Sequence, residues 1–238
     1  LNFTTTVKTM NEEFQNLCKS GNIDKVMEYI ESSEGEIHAN DEWGFTSACG
    51  SKNVDLVKCL INYSHHVHLP IYIQAEDNAG FIKACENGDY DMVKFLLEYS
   101  ASINSPINDF THYSQGLTHA CKSRNVDLVK YMLEYAGSID YSANIYTRGF
   151  SLFRTAYINN DINMVKFLVE YAELTDSPVD IYKYEHNVFR KTISAQHTDI
   201  AMYIATLSHA NKIKYMYDAT ANTGYIFNAR IATNVAVE

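Results

Sequence analysis

An all-α solenoid of stacked helix–turn–helix units is the fold this sequence predicts, and three observations carry it. One phrase returns six times: aligning Asp24, Asp55, Asp91, Asp127, Asn163 and Asp199 gives steps of 31, 36, 36, 36 and 36 residues. A fixed period of roughly 20–50 residues is the signature of stacked supersecondary units. The copies also agree in detail, since Gly88–Asn104 reads GDYDMVKFLLEYSASIN and Arg124–Asp140 reads RNVDLVKYMLEYAGSID. Within the phrase, Met92, Val93, Leu96 and Leu97 follow the i, i+1, i+4, i+5 spacing of a helix face turned into a stack.

Each unit opens with a first helix. Its apolar column is Phe14, Phe45, Phe81, Leu117, Phe153 and Phe189, and four residues on stand Cys18, Cys49, Cys85, Cys121, Tyr157 and Ile193. A spacing of four keeps both columns on one helical face. Ala48, Ala84, Ala120 and Ala156 precede the second column, small enough for neighbouring helices to approach closely. A turn column follows at Gly21, Lys52, Gly88, Arg124, Asn160 and Gln196, where Gly and Asn suit a left-handed helix end. Then come Asn22, Asn53, Asp89, Asn125, Asp161 and His197, five of the six being good N-caps for the second helix. The aligned acid two residues on sits near the positive end of the helix dipole. On that second helix Lys94 and Glu98 form an outward i, i+4 pair. Both helices are expected to span about ten residues, too short to persist without stacking.

After the second helix the chain's three prolines, Pro70, Pro106 and Pro178, share one column with Ser142. Proline denies a backbone donor, so an extended finger or hairpin is expected there rather than a third helix. Asn108-Asp109 and Ser114-Gln115-Gly116 supply turn chemistry. The units run over about 10–40, 41–76, 77–112, 113–148, 149–184 and 185–220 of a single repeat domain spanning 1–238. Gly224-Tyr225 and Ala229 keep the register of Gly80-Phe81 and the cysteine column, so 221–238 is expected to be a partial repeat or cap.

Composition narrows the function. The net charge is −10 with both signs interspersed, which argues against nucleic acid as the main partner, since phosphate binding needs a basic stripe. No apolar run approaches the roughly 20 residues of a membrane span. Cysteines in one repeat column read as small buried hydrophobes in a reducing compartment, so a cytoplasmic location is expected. No phosphate loop and no nucleophile–base spacing occurs, so neither an enzyme activity nor a cofactor nor a small-molecule substrate is expected. His65, His66 and His68 leave one alternative open, a metal-binding finger, although no further ligand stands at a recognised spacing.

The order Ala84-Cys85, Glu86-Asn87, Gly88-Asp89, Met92-Val93, Leu96-Leu97, closed by Ser100-Ala101-Ser102-Ile103-Asn104, resembles the ankyrin-repeat consensus. The style, with Asp77-Asn78 opening a repeat and Asn87-Gly88 between helices, is similar to the divergent ankyrin-repeat proteins of giant DNA viruses. The family's Thr-Pro-Leu-His opening is replaced by Ala79-Gly80-Phe81-Ile82, and the period of 36 exceeds the family's, which lengthens the finger. The resemblance implies a non-enzymatic scaffold that binds a protein partner through finger tips and first-helix positions. An adaptor recruiting a ubiquitin ligase is its second implication. Carried onto this chain, the binding face comprises Trp43, the finger aromatics Phe110, Tyr113, Tyr146, Tyr182 and Tyr184, and the first-helix residues Glu86, Asn87, Lys122, Ser123, Ile158 and Asn159.

Overall fold

The structure, a computed structural model, describes residues 3–32, 38–107, 110–139, 152–174, 198–200 and 203. Among the described residues there are helices and connecting turns and no strand. The helices are α1 (Phe3–Ser20), α2 (Ile23–Ser32), α3 (Ala39–Cys49), α4 (Val54–His66), α5 (Ala75–Glu86), α6 (Tyr90–Ser102), α7 (Phe110–Lys122) and α8 (Val126–Ser138). They are followed by α9 over 152–158 and α10 (Ile162–Leu174). The chain divides into two compact units, Leu1–Thr155 and Ala156–Glu238.

In the first unit α1, α3, α5 and α7 pack side by side in chain order. The second helices α2, α4, α6 and α8 form a parallel row, each against the first helix of its own repeat. Local chemistry sets this geometry. Asn22, Asn53, Asp89 and Asn125 each accept a backbone N–H three residues on, at 3.0 to 3.2 Å. The turn residues ahead of these caps are left-handed whether or not they are glycine: Gly21 (φ 72°), Lys52 (63°), Gly88 (63°) and Arg124 (66°). Met92, Val93, Leu96 and Leu97 are buried, as are their counterparts Leu128, Val129, Met132 and Leu133.

Two further devices lock repeat to repeat. Three rings of the first-helix column, Phe14, Phe45 and Phe81, each meet a glycine of the next first helix. A Cβ on Gly44 would lie 2.2 Å from the Phe14 ring, and one on Gly116 2.4 Å from the Phe81 ring. Gly80 faces Phe45 and Cys49 at 3.3 and 3.1 Å. Leu152 takes the glycine's place where the preceding column residue is Leu117 rather than phenylalanine. On the outer row, Lys58 Nζ lies 5.6 Å from the centroid of the Phe95 ring in the next repeat, a cation–π contact.

The proline column is explained by a buried serine. Ser64 Oγ donates to the Ile61 carbonyl (2.7 Å) and accepts the Ile71 N–H (3.3 Å). Ser100 Oγ does the same with Leu97 (2.8 Å) and Ile107 (3.3 Å). Pro70 and Pro106 thus stand where the chain folds back to bury Ile71 and Ile107. The described connections are fingers stapled to the preceding helix, without ladder pairing.

In the second unit Asp161 caps α10 through Met164 N–H (3.1 Å) after a left-handed Asn160 (φ 52°). Lys166 Nζ lies 5.7 Å from the Tyr203 ring, repeating the Lys58–Phe95 contact at the same sequence offset.

The structure corrects the sequence reading in two places. Helices α2 to α8 and α10 run from 10 to 13 residues, and α1 runs to 18, rather than about ten. First helices also begin earlier than the Phe column. In α5 this stretch is kinked, with Glu76, Asp77 and Asn78 left-handed, but α7 is helical from Phe110 onward. Phe110 and Tyr113 therefore stand on a helix, not on a finger. The expected units beyond 203, including the partial cap at 221–238, lie outside the described residues.

Candidate interaction surface

The repeating columns are occupied by the stack itself. Cys18, Cys49, Cys85 and Cys121 are buried and unpaired as disulfides. Burial pushes the Cys18 thiol up to about 12 and raises Cys49 and Cys85 well above the ordinary range, Asp89 adding to the effect at Cys49. A thiol held protonated is a poor nucleophile. The tyrosines ending the second helices reach back to the preceding repeat. Tyr63 and Tyr135 donate to the Ile30 and Leu97 carbonyls at 3.5 Å, and Tyr99 Oη meets His65 Nε2 at 2.9 Å. His65 and His66 belong to the last turn of α4, not to a finger. Among the described residues no group of three or more His, Cys, Asp or Glu side chains could hold a metal ion.

Of the sequence-derived face, Tyr113 is withdrawn. It is fully buried, donates to the Met132 carbonyl at 2.6 Å and stacks between Phe81 and Tyr135 at 5.9 and 6.4 Å. It stands one turn before Leu117 and so shares that residue's inward face. Asn87 and Ser123 differ between copies for a structural reason. Asn53 and Asn125 use their amide nitrogens to reach the carbonyls of Gly21 (2.8 Å) and Gly88 (2.9 Å) in the preceding repeat. Asp89 has no such donor, and its Oδ2 is buried without a hydrogen-bond partner. Asn87 supplies the missing link instead, donating to the Gly50 carbonyl at 2.8 Å. Where the cap is asparagine, serine fills the Asn87 position, and Ser51 and Ser123 close on the Ala48 and Ala120 carbonyls at 2.7 Å.

Glu86 and Lys122 remain exposed. They bracket a polar strip on α5 and α7 in which Lys83 Nζ pairs with Glu86 Oε2 (3.0 Å) and His119 Nδ1 approaches Glu86 Oε1 (3.4 Å). Burial lowers the His119 pKa; Glu86 opposes this, while Lys122 and Lys83 reinforce it. Trp43 is 39% exposed on α3, its indole N–H donating to Glu76 Oε1 at 2.5 Å. Ile158 is 54% exposed and Asn159 half-buried, both in the second unit. Tyr146, Tyr182, Tyr184 and the Phe110 side chain lie outside the described residues.

The sequence reading missed Leu69 and Tyr72, exposed by 55% and 61%. The signal was present, because they align with Ser105 and Asn108 and so break the repeat. No helix is long and apolar enough to cross a membrane among the described residues.

Paired helices locked by buried columns, with the non-repeating side chains left outside, define the class: a helical repeat protein. The family model for ankyrin repeats, in three copies, matches residues 83–178, so that stretch of the chain is built of ankyrin repeats. No curated protein matches the chain.

Proposed function

We propose that this protein is a non-enzymatic scaffold that binds a protein partner through exposed, non-repeating residues of its first helices and fingers. Ankyrin repeats mediate protein–protein interaction. The observation that carries the reading here is the α5–α7 strip: Glu86, Lys83, His119 and Lys122 lie together on adjacent helices although none belongs to a stacking column. A rigid stack holds such groups at fixed spacing, so little ordering cost falls on binding. The acidic balance of the chain supports a protein rather than a nucleic-acid partner.

Charge reversal tests the face. Glu86→Lys combined with Lys122→Glu is expected to abolish partner capture from the natural cell, while far-UV circular dichroism and the unfolding midpoint stay unchanged. Capture of the same partners by the double variant would reject this face.

A further inference from the structure

The first unit carries a second exposed feature, where the start of α3 meets the 67–76 segment. Glu42 is buried, 6% exposed, and left-handed (φ 68°). Its Oε1 meets His38 Nδ1 at 2.6 Å and accepts the Tyr72 N–H at 3.1 Å, whereas Oε2 has no hydrogen-bond partner. His38 Nε2 in turn faces the Leu69 carbonyl at 3.0 Å. One carboxylate thus ties the finger to α3 and holds Leu69 and Tyr72 beside it. Trp43, next in the chain, is fixed by Glu76.

The result is three exposed large apolar side chains, Trp43, Leu69 and Tyr72, near the exposed carboxylates of Glu76 and Asp77, the latter 3.9 Å from His112 Nε2. Between His38 and Phe81 the only lysines are Lys52 and Lys58, beyond the far end of α3 and on α4, and there is no arginine. Grouped apolar residues with a polar rim mark interaction surfaces, and Trp and Tyr are the residues that anchor them. Carboxylates beside aromatic faces are the surroundings a guanidinium takes, pairing through its planar fork and stacking through its face.

We propose that this edge docks a protein segment bearing an arginine beside an apolar residue. The guanidinium pairs with Glu76 and stacks on Tyr72, and the apolar neighbour covers Trp43 and Leu69. The inference rests on the protein-binding reading and names the partner's chemistry. A second copy of this chain is disfavoured by its own net charge of −10, and a nucleic acid by the carboxylates.

Trp43 is the only tryptophan of the chain, so its emission reports on this edge alone. The probe is a set of peptides selected on the whole chain from a random display library, then titrated while indole fluorescence is followed. The selected peptides are expected to carry arginine next to a leucine or an aromatic residue and to shift Trp43 emission. Their affinity should fall about tenfold with Glu76→Gln or Tyr72→Ala, equivalent to about 1.4 kcal/mol, and weaken with added salt. Asp127→Asn, on α8, should leave it unchanged. Peptides that bind without a basic residue, leave Trp43 emission unmoved, or ignore Glu76→Gln overturn this inference and leave the protein-binding reading standing. An empty selection overturns the inference and counts against that reading as well.

Discussion

Asn87 and Asp89 offer a sharp test of what holds one repeat to the next. Two arrangements recur along the chain: serine two residues before an asparagine cap (Ser20/Asn22, Ser51/Asn53, Ser123/Asn125) and asparagine before an aspartate cap (Asn87/Asp89, Asn159/Asp161). In the first, the cap's own N–H goes to the serine oxygen, as with Asn22 to Ser20 (3.3 Å) and Asn53 to Ser51 (3.2 Å). In the second it goes to a helix carbonyl, Asp89 to Ala84 (3.1 Å) and Asp161 to Ala156 (2.9 Å). In the first unit, one side-chain amide per interface crosses to the preceding repeat in either form.

Asn87→Ser removes the 2.8 Å bond to the Gly50 carbonyl. The loss should cost about 1 kcal/mol, the net contribution of one such bond. Asp89→Asn restores an amide donor at the position from which Asn53 and Asn125 reach back. It gains about 1 kcal/mol and gives up roughly 0.3–1 kcal/mol of favourable charge at the α6 N-terminus. The double variant, which converts this repeat to the serine–asparagine form, should therefore stand about 0.3–1 kcal/mol below the parent. For a chain of this length 1 kcal/mol corresponds to roughly 2–4 °C in Tm. Urea unfolding followed by circular dichroism and by Trp43 emission measures the change, since Gly50 ends the helix that carries Trp43. If Asn87→Ser costs nothing, or if the double variant is less stable than Asn87→Ser alone, the interchange is refuted.

Three other outcomes follow from the packing and charge of the first unit. Gly116→Ala places a methyl 2.4 Å from the Phe81 ring, so overpacking of about 1–3 kcal/mol should outweigh the roughly 1 kcal/mol gain in helix propensity; Phe81→Leu in the same chain should recover part of the loss, and additive unfolding energies would sink the explanation. Ser100→Ala leaves the buried Ile107 N–H without its acceptor and should cost about 1–3 kcal/mol, with faster hydrogen exchange at Ile107. His119 should titrate below its ordinary value in the folded chain. Its folded form then holds fewer protons than the unfolded chain, so this contribution to stability is present above the unfolded value near 6.5 and lost as pH falls through the folded value. Lys122→Gln should raise the His119 midpoint in an NMR titration, because Lys122 is among the charges holding it down.

The helices, caps and core columns were legible in the sequence because a stack reuses them at every step, and repetition exposes them. Difference between copies was harder to interpret. Asn87 supplies the donor at its repeat junction itself, whereas Ser123 closes on its own helix and leaves that task to Asn125. Reading residues 87 and 89 jointly reveals this; reading either column alone does not. Tyr113 was misplaced because a helix start was set by the Phe column, whereas its spacing of four from Leu117 already put it on the inward face. The glycines at 44, 80 and 116 carry a signal visible only beside the preceding ring, and Leu152 opposite Leu117 shows the paired change. Departures from the repeat are therefore of two kinds. A departure answered by a second one at a fixed offset, such as 87 with 89 or 117 with 152, preserves the stack. Trp43, Leu69, Tyr72, Glu86 and Lys122 have no such counterpart and stand exposed. Stacking does not require those side chains, so selection of a partner can vary there without disturbing the scaffold.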